Sequence, residues 1–339
     1  MTRLTWEPIT LRLRNPFRIS YGASETRRAH WLRLAGDEGW GEGTIPPYYG
    51  ISDEAMAAVW SAAARRADPF PDDPAGIAAW VGTEGPAPAR AALDLALHDR
   101  IGRRAGLPLH ALLGLPAPAP LPTSFTLGIG EPEVMAQQAA GLAGCSVIKL
   151  KLGGADGRDA ERMAAVRAAR PDVTLYVDAN AGWKPIEAIH WIEAAMAHGV
   201  ALIEQPVAKE DILGMGYVQR HVPVPVVADE SLQTLADVER LAAAGVRGVN
   251  LKLMKLGGLA PGLAVLRRAR ELGLGVMLGC MVETSIGATA MAHLTGLADW
   301  LDLDAPWLVA DDPFDGLTYD ETGRVHVPDR PGIGVVQRE

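Results

Sequence analysis

Cysteine, aromatic side chains, basic runs and long apolar runs are all scarce in this chain of 339 residues. Its cysteines, Cys145 and Cys280, are too few for a disulfide framework or a thiolate metal site, and their apolar neighbours predict reduced core residues. A formal net charge of −9 argues against a surface for nucleic acid or anionic membranes. No apolar run approaches the ~20 residues of a membrane span, and residues 1–30 lack the apolar core of a signal peptide. We therefore expect a cytoplasmic protein that acts on small molecules; whether it forms a homo-oligomer is left open.

Two kinds of pattern divide the chain. Residues 4–42 alternate apolar and polar side chains, which predicts antiparallel strands, and helical patterns follow up to residue 104. The proline-rich run Pro116–Pro122 is typical of a stiff connector. We therefore predict that residues 1–115 form an α+β capping domain, to which the turn-rich residues from about 311 to 339 return.

A repeated unit begins after the connector. Eight short apolar runs alternate with seven helical stretches, and charged residues at the run ends recur about every 23–27 residues. Repetition at this interval predicts an α/β fold over residues 116–310, a modified (β/α)7β TIM-type barrel whose eighth helix is absent after Asp304. An open doubly wound sheet is the weaker alternative, because no Gly-x-Gly-x-x-Gly turn follows the first strand. The predicted strands are Thr123–Leu127, Val147–Lys151, Leu175–Asp178, Ala201–Glu204, Val226–Asp229, Val249–Lys252, Val276–Gly279 and Trp300–Asp304.

Lysines occur where strands should be buried. Lys149 and Lys151 lie two residues apart, so they point to the same side of their strand. A solvated edge strand is the alternative, but apolar residues fill the opposite face and a helical pattern follows. Lys252 ends a strand four places further round the barrel and should face Lys151 across the mouth. Lys255 is predicted to be a turn or surface residue.

Carboxylates end three successive predicted strands. Asp178, Glu204 and Asp229 should converge at the carboxyl edge of the barrel, where such folds place their active sites. Hard oxygen ligands in this arrangement suit one Mg²⁺. A single strand-end Asp is more often a helix cap, but three in succession favour the metal site. Asn180 and Glu230 are then expected to orient the metal ligands or lysines.

The last predicted strand carries a second acidic pair. Asp302 and Asp304 should share one face and point into the barrel mouth. We expect them to bind a cation in the substrate; an exposed pair that caps a loop is the alternative.

These motifs resemble those of the enolase superfamily, muconate-lactonizing subgroup, and the similarity covers nearly the whole chain. They are the Lys-x-Lys pair, the three strand-end carboxylates, the opposed Lys252 before Met-Lys-Leu-Gly-Gly, and the helix motif Ala91–Asp99. The resemblance implies removal of a proton α to a metal-bound carboxylate, with Lys151 and Lys252 as the bases. It also implies that Lys149 is a helper lysine that lowers the pKa of Lys151.

Within this subgroup, the Asp302–Asp304 pair is similar to the one with which dipeptide epimerases hold the substrate's α-ammonium. The implied enzyme is an isomerase with one Mg²⁺ per subunit. It inverts the α-carbon of the C-terminal residue of an L,L-dipeptide by a 1,1-proton transfer through an enolate. The alternatives on the same lysines are a muconate cycloisomerase, an o-succinylbenzoate synthase and an N-acylamino-acid racemase. A Schiff-base aldolase and a non-catalytic metal-binding barrel are further alternatives.

The capping domain should set specificity. Tyr21 stands where the similar L-Ala-D/L-Glu epimerases have an Arg that pairs with the glutamate side chain, and neither Arg18 nor Arg27 matches that position. We therefore predict an apolar or aromatic second residue, covered by Tyr21 with Tyr48 or Tyr49. Thr126, at the end of the first barrel strand, completes the predicted substrate contacts.

Overall fold

The computed structural model describes residues 3–338. The chain begins with an antiparallel sheet in which β2 pairs with both β1 and β3. Its strands are β1 (Leu4–Ile19), β2 (Gly22–Leu34) and β3 (Trp40–Thr44).

Four helices follow this sheet. Ser52 caps the first of them through a hydrogen bond that its Oγ accepts from Ala55 N at 3.2 Å. The third helix lies directly on β3, where a Cβ added at Gly41 would stand 1.9 Å from the Ala92 carbonyl oxygen. The helices are α1 (Asp53–Ala64), α2 (Ile77–Val81), α3 (Ala87–Ala105) and α4 (Leu109–Leu112).

The rest of the architecture is the predicted parallel barrel. Eight parallel strands are hydrogen-bonded in chain order, and a backbone bridge between Thr123 and Leu301 brings the last strand beside the first. The α/β barrel prediction is therefore confirmed. The strands are β4 (Phe125–Leu127), β5 (Val147–Lys151), β6 (Thr174–Asp178), β7 (Val200–Glu204), β8 (Val226–Ala228), β9 (Gly248–Leu251), β10 (Gly275–Gly279) and β11 (Trp300–Asp302).

Helices surround this barrel and cover its apolar outer face. Ile148 and Leu150 of β5, for example, belong to the large core that the strands form with the helices. The helices are α5 (Pro132–Gly141), α6 (Asp159–Ala169), α7 (Pro185–Met196), α8 (Ile212–His221), α9 (Leu235–Ala244), α10 (Leu253–Leu256), α11 (Leu259–Glu271), α12 (Ser285–Ala292) and α13 (Ala305–Leu308). The four-residue α13 stands where no helix pattern was predicted, since a single turn is too short to show a period.

Inside the barrel, side chains change from apolar to charged along most of the strands. An apolar layer closes the bottom, formed by Val147, Tyr176, Leu202, Val227 and Met277 with Trp300 against it. Because side chains on one face recur every second residue, the layers above it consist of the lysines and carboxylates. The barrel is thus a packed core below and a polar site above.

The C-terminal segment crosses back to the N-terminal sheet. The Phe314 ring packs edge-on against the rings of Trp31 and Trp40, and Asp99 of α3 accepts a hydrogen bond from Ile333 N at 2.8 Å. The segment contains β12 (Phe314–Asp315), β13 (Thr318–Tyr319), β14 (Val325–His326) and β15 (Val336–Gln337). Among residues 3–338, no helix has the length and apolarity needed to cross a membrane.

Candidate active site in the barrel mouth

Three buried carboxylates meet at the top of the barrel. Asp178 and Glu204 are in register on β6 and β7, and Asp229 follows directly after β8. One oxygen from each lies within 4.8 Å of the others. Burial and the charge of Asp178 raise the pKa of Glu204 to about 8. Simultaneous ionisation of all three carboxylates is therefore unfavourable in this buried site.

Lysines on β5 compensate for part of this charge. Lys149 Nζ lies 2.6 Å from Glu204 Oε2 and 3.2 Å from Asp178 Oδ2, and Lys151 Nζ donates to Asp178 Oδ2 at 2.5 Å. Burial alone would lower the pKa of Lys149, but the surrounding carboxylates, with Asp302 first, raise it well above its usual value. In this state Lys149 is an ammonium that binds carboxylates together.

Two more lysines approach from the opposite side. Lys252 Nζ, just after β9, donates to Asp229 Oδ2 at 2.8 Å, and Lys255 Nζ lies 2.5 Å from Asp229 Oδ1. Burial opposes ionisation of Asp229, yet these two ammoniums hold its pKa far below its usual range. Lys255 was expected in a turn or at the surface: it lies in the single helical turn α10, but the surface position is wrong, because its side chain is buried against Asp229.

Asn180 and Glu230 stand beside the carboxylates, as the sequence suggested. Asn180 N donates to Asp178 Oδ1 at 2.8 Å, and its side-chain nitrogen donates to Glu230 Oε1 at 3.1 Å. Burial and the charge of Asp229 raise the pKa of Glu230 to about 7. The backbone is strained here, since Asn180, Ala181 and Gln205 all have positive φ angles, of 42°, 60° and 35°.

Two residues that hydrogen-bond to the metal-ligand candidates were not predicted. Asn250 donates from Nδ2 to Glu204 Oε1 at 2.8 Å, and Gln205 accepts from Asp229 N at 2.9 Å. Both hold metal-ligand candidates in place. Asn250 stands two residues before Lys252 on the same strand face, so the period of two could have identified it.

Asp302 and Asp304 lie on the other side of the mouth. Asp302 accepts from Lys149 Nζ and from Ser124 Oγ, both at 2.7 Å. Asp304 accepts from the backbone N of Thr126 at 2.7 Å, and burial together with the charge of Asp302 raises its pKa to about 6. Thr126 thus contributes a backbone donor to this pair.

A cavity of about 220 Å³ opens over these groups. Its walls include Lys151, Lys252, Thr126, Asp302 and Asp304, so the two lysines from strands four apart share one space.

Aromatic side chains from the turn between β1 and β2 and from the segment after β3 form part of the cavity wall. Tyr21 and Tyr48 line it and stack with ring centroids 4.4 Å apart. Tyr49 contacts Tyr48 at 5.1 Å but faces a neighbouring cavity with Glu230.

The carboxylate cluster fits a divalent cation. All three ligands are hard oxygens that lie within 4.8 Å of one another, which suits an ion such as Mg²⁺ that keeps several water ligands. We infer that Asp178, Glu204 and Asp229 are the residues that could hold it.

Comparison with known proteins agrees with this geometry. The model of the mandelate racemase/muconate lactonizing enzyme N-terminal domain matches residues 2–114, and the model described as enolase C-terminal domain-like matches residues 134–339. The chain is similar to the L-Ala-D/L-Glu epimerase of Bacteroides thetaiotaomicron, with 34% identity over 99% of this chain and 88% of that protein. It is also similar to the hydrophobic dipeptide epimerase of Roseobacter litoralis, with 36% identity over 98% of each.

The chain is also similar to a solved structure of a dipeptide epimerase. The dipeptide epimerase of Enterococcus faecalis V583, crystallised with Mg and the dipeptide L-Leu-L-Tyr, has a TM-score of 0.92 and 30% identity, covering 99% of this chain and all of that one (100%). The chain therefore belongs to the enolase superfamily and, within it, to the mandelate racemase/muconate lactonizing enzyme family.

Proposed function

We propose that the chain is a Mg²⁺-dependent dipeptide epimerase that inverts the α-carbon of the second residue of an L,L-dipeptide. One observation carries this proposal: Lys151 and Lys252, from opposite sides of the barrel, line one cavity together with the acidic pair Asp302 and Asp304. Inversion at the second α-carbon requires two proton-transfer groups, and the acidic pair would hold the free α-ammonium of the first residue. The relatives that act on dipeptides support this choice of substrate.

The lysines would divide the proton transfer between them. One, as the free amine, removes the α-proton from one face of the carbon, and the other, as an ammonium, returns a proton to the opposite face. A divalent ion held by Asp178, Glu204 and Asp229 would stabilise the negative charge that develops on the substrate carboxylate. Lys149, in contact with two of these ligands, is proposed to help stabilise that charge.

The acidic pair favours a dipeptide over an N-acylated amino acid. A free α-ammonium can form charge-assisted hydrogen bonds with Asp302 and Asp304 in a site shielded from water, whereas an N-acyl amide brings no charge to them. The stacked rings of Tyr21 and Tyr48 over the cavity support an apolar or aromatic second residue. Tyr49 is proposed to contribute to this cover through its contact with Tyr48.

The parts of the molecule have distinct proposed roles. Residues 1–115 together with about 311–339 would form the cap that selects the substrate, and residues 116–310 would form the catalytic barrel. Cys145 and Cys280 are both free and buried, which supports action in the reducing cytoplasm.

Proton exchange in deuterated buffer tests the proposal. Pools of L,L-dipeptides with MgCl₂ should gain one deuterium at the second α-carbon and yield both epimers by mass spectrometry and chiral chromatography. Lys151→Ala and Lys252→Ala should each stop epimerisation, although one of them should still exchange deuterium into a single epimer. Lys184→Ala, at an exposed site on the outside of the barrel, is the control. Epimerisation by a variant that lacks either cavity lysine would rule out the two-base mechanism.

A further inference from the structure

An arginine without a counter-ion lines the active-site cavity. Arg27 is only 7% exposed and stands on β2, opposite Leu11 of β1. It shares the cavity wall with Lys252, Asp304 and Leu308. No step of the proposed reaction uses it.

The guanidinium is short of partners. Within residues 3–338, Arg27 forms no ion pair: its Nε has no hydrogen-bond partner, and its Nη2 reaches only Ser24 Oγ, at 3.5 Å. Burial lowers the pKa of Arg27, opposed only by the nearby Tyr48. A buried cation of this kind is unfavourable unless an anion joins it, and the planar guanidinium fork matches a carboxylate.

The other arginine of this region does not compete for that role. Arg18 has an exposed side chain, and its backbone packs on the loop after β4, where its carbonyl accepts from Ile129 N at 2.8 Å. Arg27 is therefore the cation that the N-terminal sheet presents to the cavity.

The position of Arg27 indicates which part of a dipeptide it faces. Ala29, the next residue on the same face of β2, packs with Val282 and Val309, which follow β10 and β11. Arg27 thus sits over the side of the mouth that carries Asp302 and Asp304. Tyr21 lines the same cavity but also faces the neighbouring one that contains Glu230.

We propose that Arg27 binds the side-chain carboxylate of an acidic first residue, Asp or Glu, in the dipeptide substrate. The inference rests on the proposed function, in which the α-ammonium of that residue is held by Asp302 and Asp304. The first residue would be recognised through its α-ammonium and its side-chain carboxylate, and the second through contact with Tyr21 and Tyr48. The preferred substrates are then L-Glu or L-Asp followed by an apolar residue.

Matched acid and amide dipeptides test this assignment. Wild-type enzyme should have a kcat/KM for L-Glu-L-Leu at least tenfold above that for L-Gln-L-Leu, because the two differ in charge but hardly in shape. The pair L-Leu-L-Glu and L-Leu-L-Gln should show no such preference. Arg27→Gln should abolish the preference at the first position while it keeps turnover of L-Gln-L-Leu, whereas Arg18→Gln, on the neighbouring strand, should leave the preference intact.

Each other outcome has a distinct meaning. Equal use of acid and amide at the first position, or a preference that survives in Arg27→Gln, would overturn the inference while neutral dipeptides still support the proposed function. A preference confined to the second position would overturn the assignment to the first residue. Failure to epimerise any dipeptide would overturn the proposed function and this inference with it. If Arg27→Gln fails to fold, the wild-type comparison of acid and amide still decides.

Discussion

At the scale of single residues, Asp302 and Asp304 differ in how many hydrogen bonds their carboxylate oxygens already accept from the protein. Asp302 is engaged on both oxygens, by Lys149 and by Ser124. Asp304 accepts from Thr126, and its pKa is raised to about 6 by burial and by Asp302. A cation that enters the mouth gains most from Asp304, because no ammonium group of residues 3–338 forms an ion pair with that carboxylate.

N-acetylation of a dipeptide substrate should therefore lower kcat/KM by an amount equivalent to about 2–5 kcal/mol, the cost of leaving one member of a buried charge pair unpaired. Because the pKa of Asp304 is raised to about 6, the carboxylate takes up a proton as the pH falls through that value, and the KM for free dipeptides should rise. Steady-state kinetics between pH 5 and 8 would measure both effects. Asp304→Asn should remove the pH effect on KM, and equal turnover of free and acetylated dipeptides would contradict the role of the pair.

The buried position of Lys255 could not be predicted from the spacing of residues in the sequence. The alternation of β9 places Asn250 and Lys252 inside the barrel, but the chain leaves the strand after Leu251 and turns through α10. Lys255 Nζ then donates to the carbonyl oxygen of Asn250 at 3.2 Å and to Asp229. The two-residue alternation of side chains holds only within the strand. The contact between Lys255 and Asp229 depends on the helical turn after β9, so the alternation could not predict it.

Lys255→Met should weaken metal binding while the two proposed bases stay in place. The substitution removes the buried ammonium that orients Asp229, and partners of this kind typically contribute 10–100-fold in metal affinity or activity. The MgCl₂ concentration that gives half-maximal activity should rise by about that factor. Arg267→Met, which removes a charge from the exposed face of α11, is the matched control. An unchanged magnesium requirement in Lys255→Met would show that Asp229 is held without it.

At the scale of elements, the barrel strands were predictable because they recur with a buried outer face and most of them end in a charged residue. The residues at which the strands begin and end were less predictable. The last strand stops at Asp302 and not at Asp304, since Asp304 is the N-cap residue of the one-turn helix α13. The first starts at Phe125 and not at Thr123, which forms only a bridge to Leu301. Short turns and bridges depend on neighbours that are distant in the chain, so local patterns do not locate them.

The helix α3 joins the N-terminal sheet to the barrel at the element scale. Asp94 accepts from Leu259 N at 2.6 Å and from Ala260 N at 3.3 Å, so a carboxylate of α3 caps the start of α11. Gly258 leaves room for this contact, because a Cβ there would lie 2.3 Å from the Asp94 carboxyl carbon. The motif Ala91–Asp99 thus fixes the position of the loop after Lys252.

Asp94→Ala should lower the free energy of unfolding by about 2–4 kcal/mol, since it removes a helix cap and leaves the buried Leu259 N–H without its acceptor. Urea denaturation followed by circular dichroism would measure the loss. Asp94→Asn, which retains one acceptor oxygen, should lose less. A variant Asp94→Ala as stable as the wild type would mean that the contact between α3 and α11 is not needed for folding.

At the scale of the whole molecule, the sequence predicted the charged residues of the barrel site better than the residues of the N-terminal segment that cover it. The carboxylates and lysines repeat with the barrel units, so their positions follow from the period of the fold. The cap has no repeat, and the placement of Arg27 and Tyr48 in the cavity wall depends on how β1 and β2 cross the mouth. Specificity was therefore the part of the function that the sequence constrained least.

The same charge arrangement predicts how a metal affects overall stability. Asp178, Glu204 and Asp229 converge in a buried space, and Glu204 carries a pKa raised to about 8 by burial and by Asp178, so a divalent cation should bind the folded chain far better than the unfolded one. Addition of MgCl₂ at 100 times its dissociation constant to chelator-treated protein should stabilise it by about 2.7 kcal/mol. Differential scanning calorimetry with and without MgCl₂ would show this as a higher Tm. Glu204→Gln should abolish the magnesium-dependent shift and the activity together, and full turnover of that variant after chelation would show that the metal site is wrongly assigned.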